Sequence, residues 1–224
     1  MFPLSFISNF INLQELQFSF NSNEDFINFG TLQHTSFSQL KILKFQRACP
    51  RNELLIKFLE NNGKNLKEIY LCEYTGYCDN SINLAIARFC PNIRKLSIGI
   101  KNNESETLGI IFINCQYLES IKIWCGGEFL NEKEALETVV KYSQNIYELI
   151  LYYQSDAQFE LLPIDLESFF INWTSCKPHK SLSLVIVNYG TGSLDANDEN
   201  MEIIKKYIKL GVTKNFKVTD FTDE

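Results

Sequence analysis

The sequence lacks the short motifs that most enzyme classes require. It contains no GxxxxGK[ST] and no GxGxxG, so no segment predicts a phosphate-binding loop for a nucleotide. It contains only two histidines, His34 and His179, and neither lies beside a plausible serine or cysteine nucleophile. We therefore predict no catalytic residues, no cofactor and no metal site, and we expect a non-enzymatic function.

Basic charge, long apolar runs and paired cysteines are also scarce. The net charge is −6, which argues against nucleic acid or an anionic membrane as the main partner, because both need a basic footprint. No apolar run reaches the length of a membrane span, and residues 1–13 lack the basic start and the cleavage site of a signal peptide. The seven cysteines include no CxxC, so we interpret them as reduced thiols of an intracellular protein, in the cytoplasm or the nucleus.

What the sequence does contain is one short unit that recurs six times. The unit is an aliphatic residue, two variable residues, a second aliphatic residue, one variable residue and an apolar residue. Its copies are Leu13/Leu16/Phe18, Leu40/Leu43/Phe45, Leu66/Ile69/Leu71, Ile93/Leu96/Ile98, Leu118/Ile121/Ile123 and Ile146/Leu149/Leu151. Their first positions are 27, 26, 27, 25 and 28 residues apart. A strand pattern at that period is typical of leucine-rich repeats.

The repeats predict the fold class and the domain organisation. We expect an α/β fold, namely a leucine-rich-repeat solenoid of about seven repeats that resembles ribonuclease inhibitor. Its parallel sheet should be curved, with helices on the convex side. A single domain should cover residues 1–224, with repeat strands near 13–18, 40–45, 66–71, 93–98, 118–123, 146–151 and 182–187, and a C-terminal cap over 195–224.

Helices are predicted between the strands by apolar spacing and by terminal signals. In the segment 131–143, Asn131 is a cap candidate, and Glu134 three residues later is close to a capping box. Pro163 suits the first position of a helix, where its missing N–H costs nothing. The first connection, 21–38, shows no clear helix, and Phe216 and Val218 predict a closing edge strand. The other predicted helices cover 51–62, 79–90, 104–115 and 200–210.

Small or polar residues recur at fixed places in the repeats. Cys90 and Cys115 each stand three residues before the next copy of the unit, and we expect them to be buried packing residues rather than metal ligands or nucleophiles. Asparagine directly precedes the first aliphatic residue at Asn12, Asn65, Asn92 and Asn145.

The alternation of side chains along each strand predicts which residues face a partner. The aliphatic positions point into the core, and the residues between the last two of them point to the concave face. These residues are Gln17, Lys44, Tyr70, Ser97, Lys122 and Ile150, and one row further along come Ser19, Gln46, Cys72, Gly99, Trp124 and Tyr152. On that face we predict a partner-binding site made of Tyr70, Lys122, Trp124 and Tyr152, because exposed tryptophan and tyrosine dominate binding hot spots. The alternative is that Trp124 is structural and packs under the turn at 125–127.

Several longer segments resemble a known family. Cys90-Pro91-Asn92-Ile93 and Cys115-Gln116-Tyr117-Leu118 close their repeats as in the cysteine-containing leucine-rich repeats of F-box proteins. Together with residues 60–68, 115–127 and 162–170, they most resemble the expanded F-box-like leucine-rich-repeat family of arbuscular mycorrhizal fungi. The resemblance covers roughly residues 10–224.

The resemblance implies a role in ubiquitin-dependent protein degradation. In that family an F-box binds Skp1 in an SCF ubiquitin ligase, and the repeats recruit the protein substrate. Because the first repeat begins at Leu13, we expect this chain to correspond to the substrate-binding half, with Skp1 and cullin as partners only if a longer product carries an F-box. Two alternatives are a free-standing repeat scaffold or competitor unrelated to ubiquitin and a GTPase-activating solenoid.

Overall fold

A computed structural model describes residues 4–153, 161–176, 180–188 and 193–220. The chain divides into two compact units. The first comprises Met1–Ile98 and Ile110–Leu118, and the second comprises Gly99–Gly109 and Glu119–Glu224. The division passes through one helix.

The first unit alternates strands with helices or short turns. Its four strands lie side by side in chain order, and each pairs in parallel with the next. The register aligns the middle aliphatic residues of the copies, Leu16, Leu43, Ile69 and Leu96. The elements are β1 Glu15–Phe18, β2 Ile42–Phe45, α1 Asn52–Asn62, β3 Glu68–Leu71, α2 Asn80–Phe89 and β4 Lys95–Ile98, with 3-10 turns at Leu4–Asn9, Asn23–Phe26, Phe29–Thr31 and Gly63–Asn65.

The second unit repeats this alternation with longer strands. Its four strands are again parallel and in chain order, and the register aligns Ile121, Leu149, Leu184 and Phe216. The helix α3, Ser105–Asn114, contains the division between the units. The remaining elements are β5 Ser120–Cys125, α4 Glu132–Tyr142, β6 Glu148–Tyr153, α5 Pro163–Cys176, β7 Leu182–Asn188, α6 Asp198–Lys209 and β8 Thr213–Asp220, with 3-10 turns at Asn102–Glu104 and Leu194–Ala196.

Phenylalanine rings fill the core of the first unit. Phe18 and Phe45 stack across neighbouring strands with ring centroids 5.4 Å apart. The short turns of the first connection add Phe26 and Phe29, and the Phe29 ring reaches Phe58 of α1 at 5.6 Å. All five rings are buried. In this repeat the 3-10 turns, in place of a helix, supply the apolar side chains that pack against the strands. The segment 21–38 accordingly shows no helical spacing.

Backbone groups at the starts of four strands are bonded in a recurring way. The carbonyl of Lys67 accepts from two successive amides, those of Arg94 at 2.7 Å and Lys95 at 3.1 Å. The same double acceptance recurs at the carbonyls of Gln14, Lys41 and Glu119. Because a carbonyl has two lone pairs to satisfy, this contact fixes the starts of β2, β3, β4 and β6 against the preceding segment.

The recurring asparagines satisfy carbonyl groups of the preceding repeat. The Asn65 side chain donates to the Phe37 carbonyl at 3.3 Å, and the Asn92 side chain donates to the Lys64 carbonyl at 2.9 Å. In both cases donor and acceptor are 28 residues apart in the chain. Asn65 and Asn92 thus each link one repeat to the one before it.

The two repeat-closing cysteines are buried, as the sequence predicts. Cys90 is fully buried and Cys115 is 1% exposed. The Cys115 thiol donates to the Cys90 carbonyl at 3.5 Å. Burial raises the pKa of Cys115 to about 12 and raises the pKa of Cys90 as well, so both remain neutral thiols at physiological pH.

The predicted α/β class, the parallel strand pairing and the alternation of helices with strands are confirmed. Every predicted helix is present within two residues of its predicted bounds. Asn131 caps α4 by accepting from the Glu134 amide at 2.9 Å, and Pro163 opens α5. Phe216 and Val218 lie on the edge strand β8, as predicted. The predicted cap over 195–224 includes residues 221–224, which lie outside the described residues.

Candidate interaction face

On β1, β2 and β3 the outward face of the first unit is polar and accessible to solvent, whereas Ser97 on β4 is buried. Along β1, β2 and β3 buried residues alternate with exposed or half-buried ones. The buried positions are the aliphatic residues of the repeat unit, so the accessible positions lie on the opposite side of the sheet. The structure thus confirms the predicted assignment of core and surface in these three strands.

Ion pairs and an aromatic ring connect these accessible residues across the four strands. The Lys44 Nζ lies 3.0 Å from Glu15 Oε1 and 5.3 Å from the centre of the Tyr70 ring. The Tyr70 hydroxyl donates to Glu68 Oε2 at 2.7 Å, and Glu68 Oε1 lies 3.3 Å from Lys95 Nζ. We call these five residues, Glu15, Lys44, Glu68, Tyr70 and Lys95, the polar ladder.

The side chains of the polar ladder are accessible to solvent, so their ion pairs with one another can be replaced by interactions with a partner. The Lys44 and Glu15 side chains are 28% and 45% exposed, and those of Lys95 and Glu68 are 45% and 24% exposed. Ion pairs at such sites contribute only about 0–1 kcal/mol each to folding. These charged groups therefore add little to stability, and their arrangement is available for recognition.

The second unit brings together three of the four residues predicted to bind a partner. The centres of the Trp124 and Tyr152 rings are 3.9 Å apart, and the Lys122 Nζ lies 4.7 Å from the centre of the Tyr152 ring. Trp124 and Tyr152 are register neighbours on β5 and β6. Tyr70, the fourth predicted residue, belongs to the first unit, where it is half-buried in the polar ladder.

The prediction that Trp124 and Tyr152 are exposed is wrong. Trp124 is 1% exposed, Tyr152 is fully buried and Lys122 is 8% exposed. The physical reason is a small apolar core on this side of the strands, in which the two rings pack with Phe129 and Val187. The alternative, in which Trp124 is structural, agrees with this burial. No observation tests whether any of the four predicted residues binds a partner.

A second group of buried residues in this unit carries a titratable carboxyl group. Glu132, in the first turn of α4, is 2% exposed, and Cys125 and Tyr153 beside it are also buried. Burial raises the pKa of Glu132. Burial, together with the nearby Glu132 charge, raises the pKa values of the Cys125 thiol and the Tyr153 hydroxyl. Glu132 Oε1 has no hydrogen-bond partner within the described part of the chain.

We expect Glu132→Gln to stabilise the protein at pH 7 but not at pH 4. Because the folded pKa of Glu132 is raised, the unfolded chain ionises first as the pH rises above about 4.3. Wild-type stability is therefore lost in that range, and the glutamine variant escapes this loss. Thermal unfolding of both proteins between pH 4 and pH 8 measures the difference.

The matched control is Glu137→Gln, because Glu137 is an exposed residue of the same helix. The control should follow wild type at each pH. A Glu132→Gln variant that is less stable than wild type at pH 7 contradicts the argument, since it shows that the ionised carboxylate is favourable where it lies.

Three members of the polar ladder were missed by the sequence argument, namely Glu15, Glu68 and Lys95. The predicted face includes the position between the last two apolar residues of each unit and the position directly after the unit. Alternation also places the residue two positions earlier on the same face. Opposite charges at these outward positions of adjacent strands, as in Glu68 and Lys95, are the signal that predicts cross-strand ion pairs.

The described residues show no membrane-spanning helix and no metal-binding cluster, and the sequence matches no known protein family. In residues 4–153, 161–176, 180–188 and 193–220, no helix has the length and apolar character needed to cross a bilayer. The same residues include no group of three or more acidic, histidine or cysteine side chains able to hold a metal ion. No model of a known protein family matches the chain, and no curated protein shows significant similarity to it.

Proposed function

We propose that the chain is a leucine-rich-repeat solenoid that binds a protein partner through the polar ladder. Six copies of one unit at a period of 25–28 residues support the repeat assignment. The parallel strands in chain order, and the carbonyls that each accept two amides at the strand starts, support it further. The observation that carries the binding proposal is the continuous, solvent-accessible ladder on β1–β4.

The chemistry of the ladder defines the kind of partner. It presents two carboxylates and two ammonium groups in alternation, with the Tyr70 ring between them. Such a surface fits a folded protein with both signs of charge, because complementary charges steer association and reject wrong partners. The tyrosine supplies the larger contact area and a polar tip. The proposed function is therefore non-enzymatic, and no cofactor is needed.

The resemblance to F-box repeat proteins makes that partner a substrate for ubiquitylation. In this proposal the chain is the substrate-recognition half, and Skp1 and cullin are partners only if a longer product carries an F-box. Purification of the endogenous protein from its native organism separates this role from that of a free-standing scaffold. Skp1 and cullin recovered with the repeats support the ubiquitin role, and a stable partner recovered without them supports the scaffold.

We expect Lys44→Glu to reduce partner recovery at least tenfold, because it reverses one charge in the centre of the ladder. A tenfold loss corresponds to about 1.4 kcal/mol of binding energy, a moderate value for a contact at the centre of an interface. Tyr70→Ala should have an effect of the same size. Both variants are used as bait in extracts of the native organism, and the recovered proteins are quantified by mass spectrometry.

The matched control is Lys57→Glu. Lys57 is an exposed lysine of α1 that also has a carboxylate partner, since its Nζ lies 2.6 Å from Glu60 Oε2. This control should recover the partner as wild type does. If Lys44→Glu and Tyr70→Ala both keep full recovery while a partner is reproducibly bound, the ladder is not the binding face.

A further inference from the structure

Two cysteines of the first unit lie in direct contact. The sulfur atoms of Cys49 and Cys72 are 3.0 Å apart and share a hydrogen bond. Cys72 is 4% exposed, whereas Cys49 is partly exposed to solvent. Neither thiol is used by the repeat packing that explains Cys90 and Cys115. The pair therefore needs an explanation of its own.

The backbone brings these residues together without help from the thiols. Cys72 directly follows β3, and Cys49 lies in the loop after β2. Beyond the two strands the pairing continues with a bond from the Tyr74 amide to the Gln46 carbonyl at 3.1 Å. The Arg47 guanidinium lies over the Tyr74 ring at 5.4 Å. Several independent contacts thus hold the loop and the turn side by side.

The conformation of Cys72 sets it apart from the other described residues. Its φ is +47°, the one left-handed backbone among the described residues that are not glycine. Its carbonyl accepts from the amides of Thr75 and Gly76 at 2.9 and 2.8 Å, so a tight turn begins at this residue. Left-handed backbone is uncommon for a residue with a side chain, and it often marks functional sites.

The contact also prepares one sulfur to react. The hydrogen bond from the Cys49 thiol stabilises a thiolate on its neighbour, which lowers the pKa of Cys72. The thiolate is the form that attacks peroxides and disulfides. Partial exposure of Cys49 gives a small oxidant access to the pair. In reducing compartments, disulfides that form between such thiols are usually transient and redox-sensing.

We propose that Cys49 and Cys72 form a redox-sensitive dithiol that closes to a disulfide when the protein meets hydrogen peroxide. The thiolate sulfur attacks one peroxide oxygen, the O–O bond breaks, and a sulfenic acid and hydroxide form. The second sulfur then attacks the sulfenic sulfur, the S–O bond breaks, and water leaves. In total two thiols are oxidised to one disulfide, and one peroxide is reduced to two waters.

Closure ties the loop after β2 to the turn after β3, and these two strands carry Lys44 and Tyr70 of the polar ladder. The sulfur atoms need to approach by about 1 Å, because a disulfide bond is about 2.04 Å long. The dithiol is independent of the partner. Only its use as a regulator of binding rests on the proposed function.

The experiment treats the purified, fully reduced chain with hydrogen peroxide and maps its peptides without reduction. We expect a linked peptide pair that contains Cys49 and Cys72 and that disappears on treatment with a phosphine reductant. The bridge closes a loop of about 24 residues, so the oxidised chain should also melt about 5–10 °C higher. Cys49→Ser and Cys72→Ser should each lack both the linked peptides and the shift in melting.

Cys90 and Cys115 provide the internal control, because they are buried, near each other and neutral. They should remain as free thiols under the same treatment. Absence of the Cys49–Cys72 link in folded wild-type protein overturns the proposal, and so does a link from either residue to Cys78 in its place. Neither result bears on the ladder, since this experiment contains no partner.

Discussion

Replacing Trp124 with alanine is expected to lower the free energy of unfolding by about 3–5 kcal/mol. Trp124 is 1% exposed, and its ring packs against Tyr152 at 3.9 Å and Phe129 at 5.8 Å between ring centres. Removal of the indole leaves a cavity beside the Tyr152 ring of β6 and the Phe129 ring of the loop after β5, and rigid surroundings collapse poorly into such a space. Chemical denaturation of the variant and wild type measures the loss.

The matched control for Trp124 is Tyr147→Ala in the same unit. Tyr147 is 46% exposed, and substitutions at exposed surface positions usually stay within about 0.5 kcal/mol. A Trp124→Ala variant as stable as this control contradicts the packing described here. If that stable variant also failed to bind the protein partner, Trp124 would be a partner-binding residue, as predicted from the sequence.

Leu96→Ala and Ile121→Ala are each expected to cost about 2–5 kcal/mol. Leu96 is 2% exposed and Ile121 is fully buried. Each is the middle aliphatic residue of its repeat and aligns with the equivalent residue of an adjacent strand, Ile69 and Leu149 respectively. Truncation therefore removes contacts within the repeat and contacts to its neighbour. Denaturant unfolding followed by far-ultraviolet circular dichroism checks both variants.

Lys44→Ala is the reference for these two core variants. Its ion pair with Glu15 is accessible to water, so the change should be nearly neutral. Should Lys44→Ala prove costlier than Leu96→Ala, the assignment of inner and outer strand faces fails. The proposed binding face would fail with it, because both rest on the same alternation.

The repeat pattern carried most of the information about the fold. A fixed period of aliphatic residues places strand after strand in the same register, and local signals such as the Asn131 cap and Pro163 position the helices. These signals each involve a few neighbouring residues, and the helices begin where the signals occur. The first connection shows the limit, because Phe26 and Phe29 build a core through 3-10 turns without helical spacing.

The candidate site was harder to predict. The alternation of side chains along a strand predicts which face of the sheet a residue lies on, but it does not predict whether other residues pack over that face. Lys44 and Trp124 occupy outward-facing positions, yet one is accessible and the other is buried. The difference lies in Phe129, in the loop after β5, and in Val187, on β7, which both pack in one apolar cluster with the tryptophan. No periodicity within a single repeat contains that information.

The Cys49–Cys72 contact had no sequence signal for a similar reason. The two residues are 23 positions apart and share no motif. The parallel pairing of β2 with β3 brings them together. This pairing continues into the loop after β2 and the turn after β3. Register can be predicted from the repeats, but the path of an irregular loop cannot.

The order of the strands has a consequence for how the protein folds during synthesis. In the first unit, paired residues on successive strands are 27, 26 and 27 positions apart. Each new pairing therefore closes a loop of one repeat, with an entropic cost that stays nearly the same from one pairing to the next. A strand leaving the ribosome meets a partner that has already been made, so this unit can assemble from its N-terminus without waiting for later sequence.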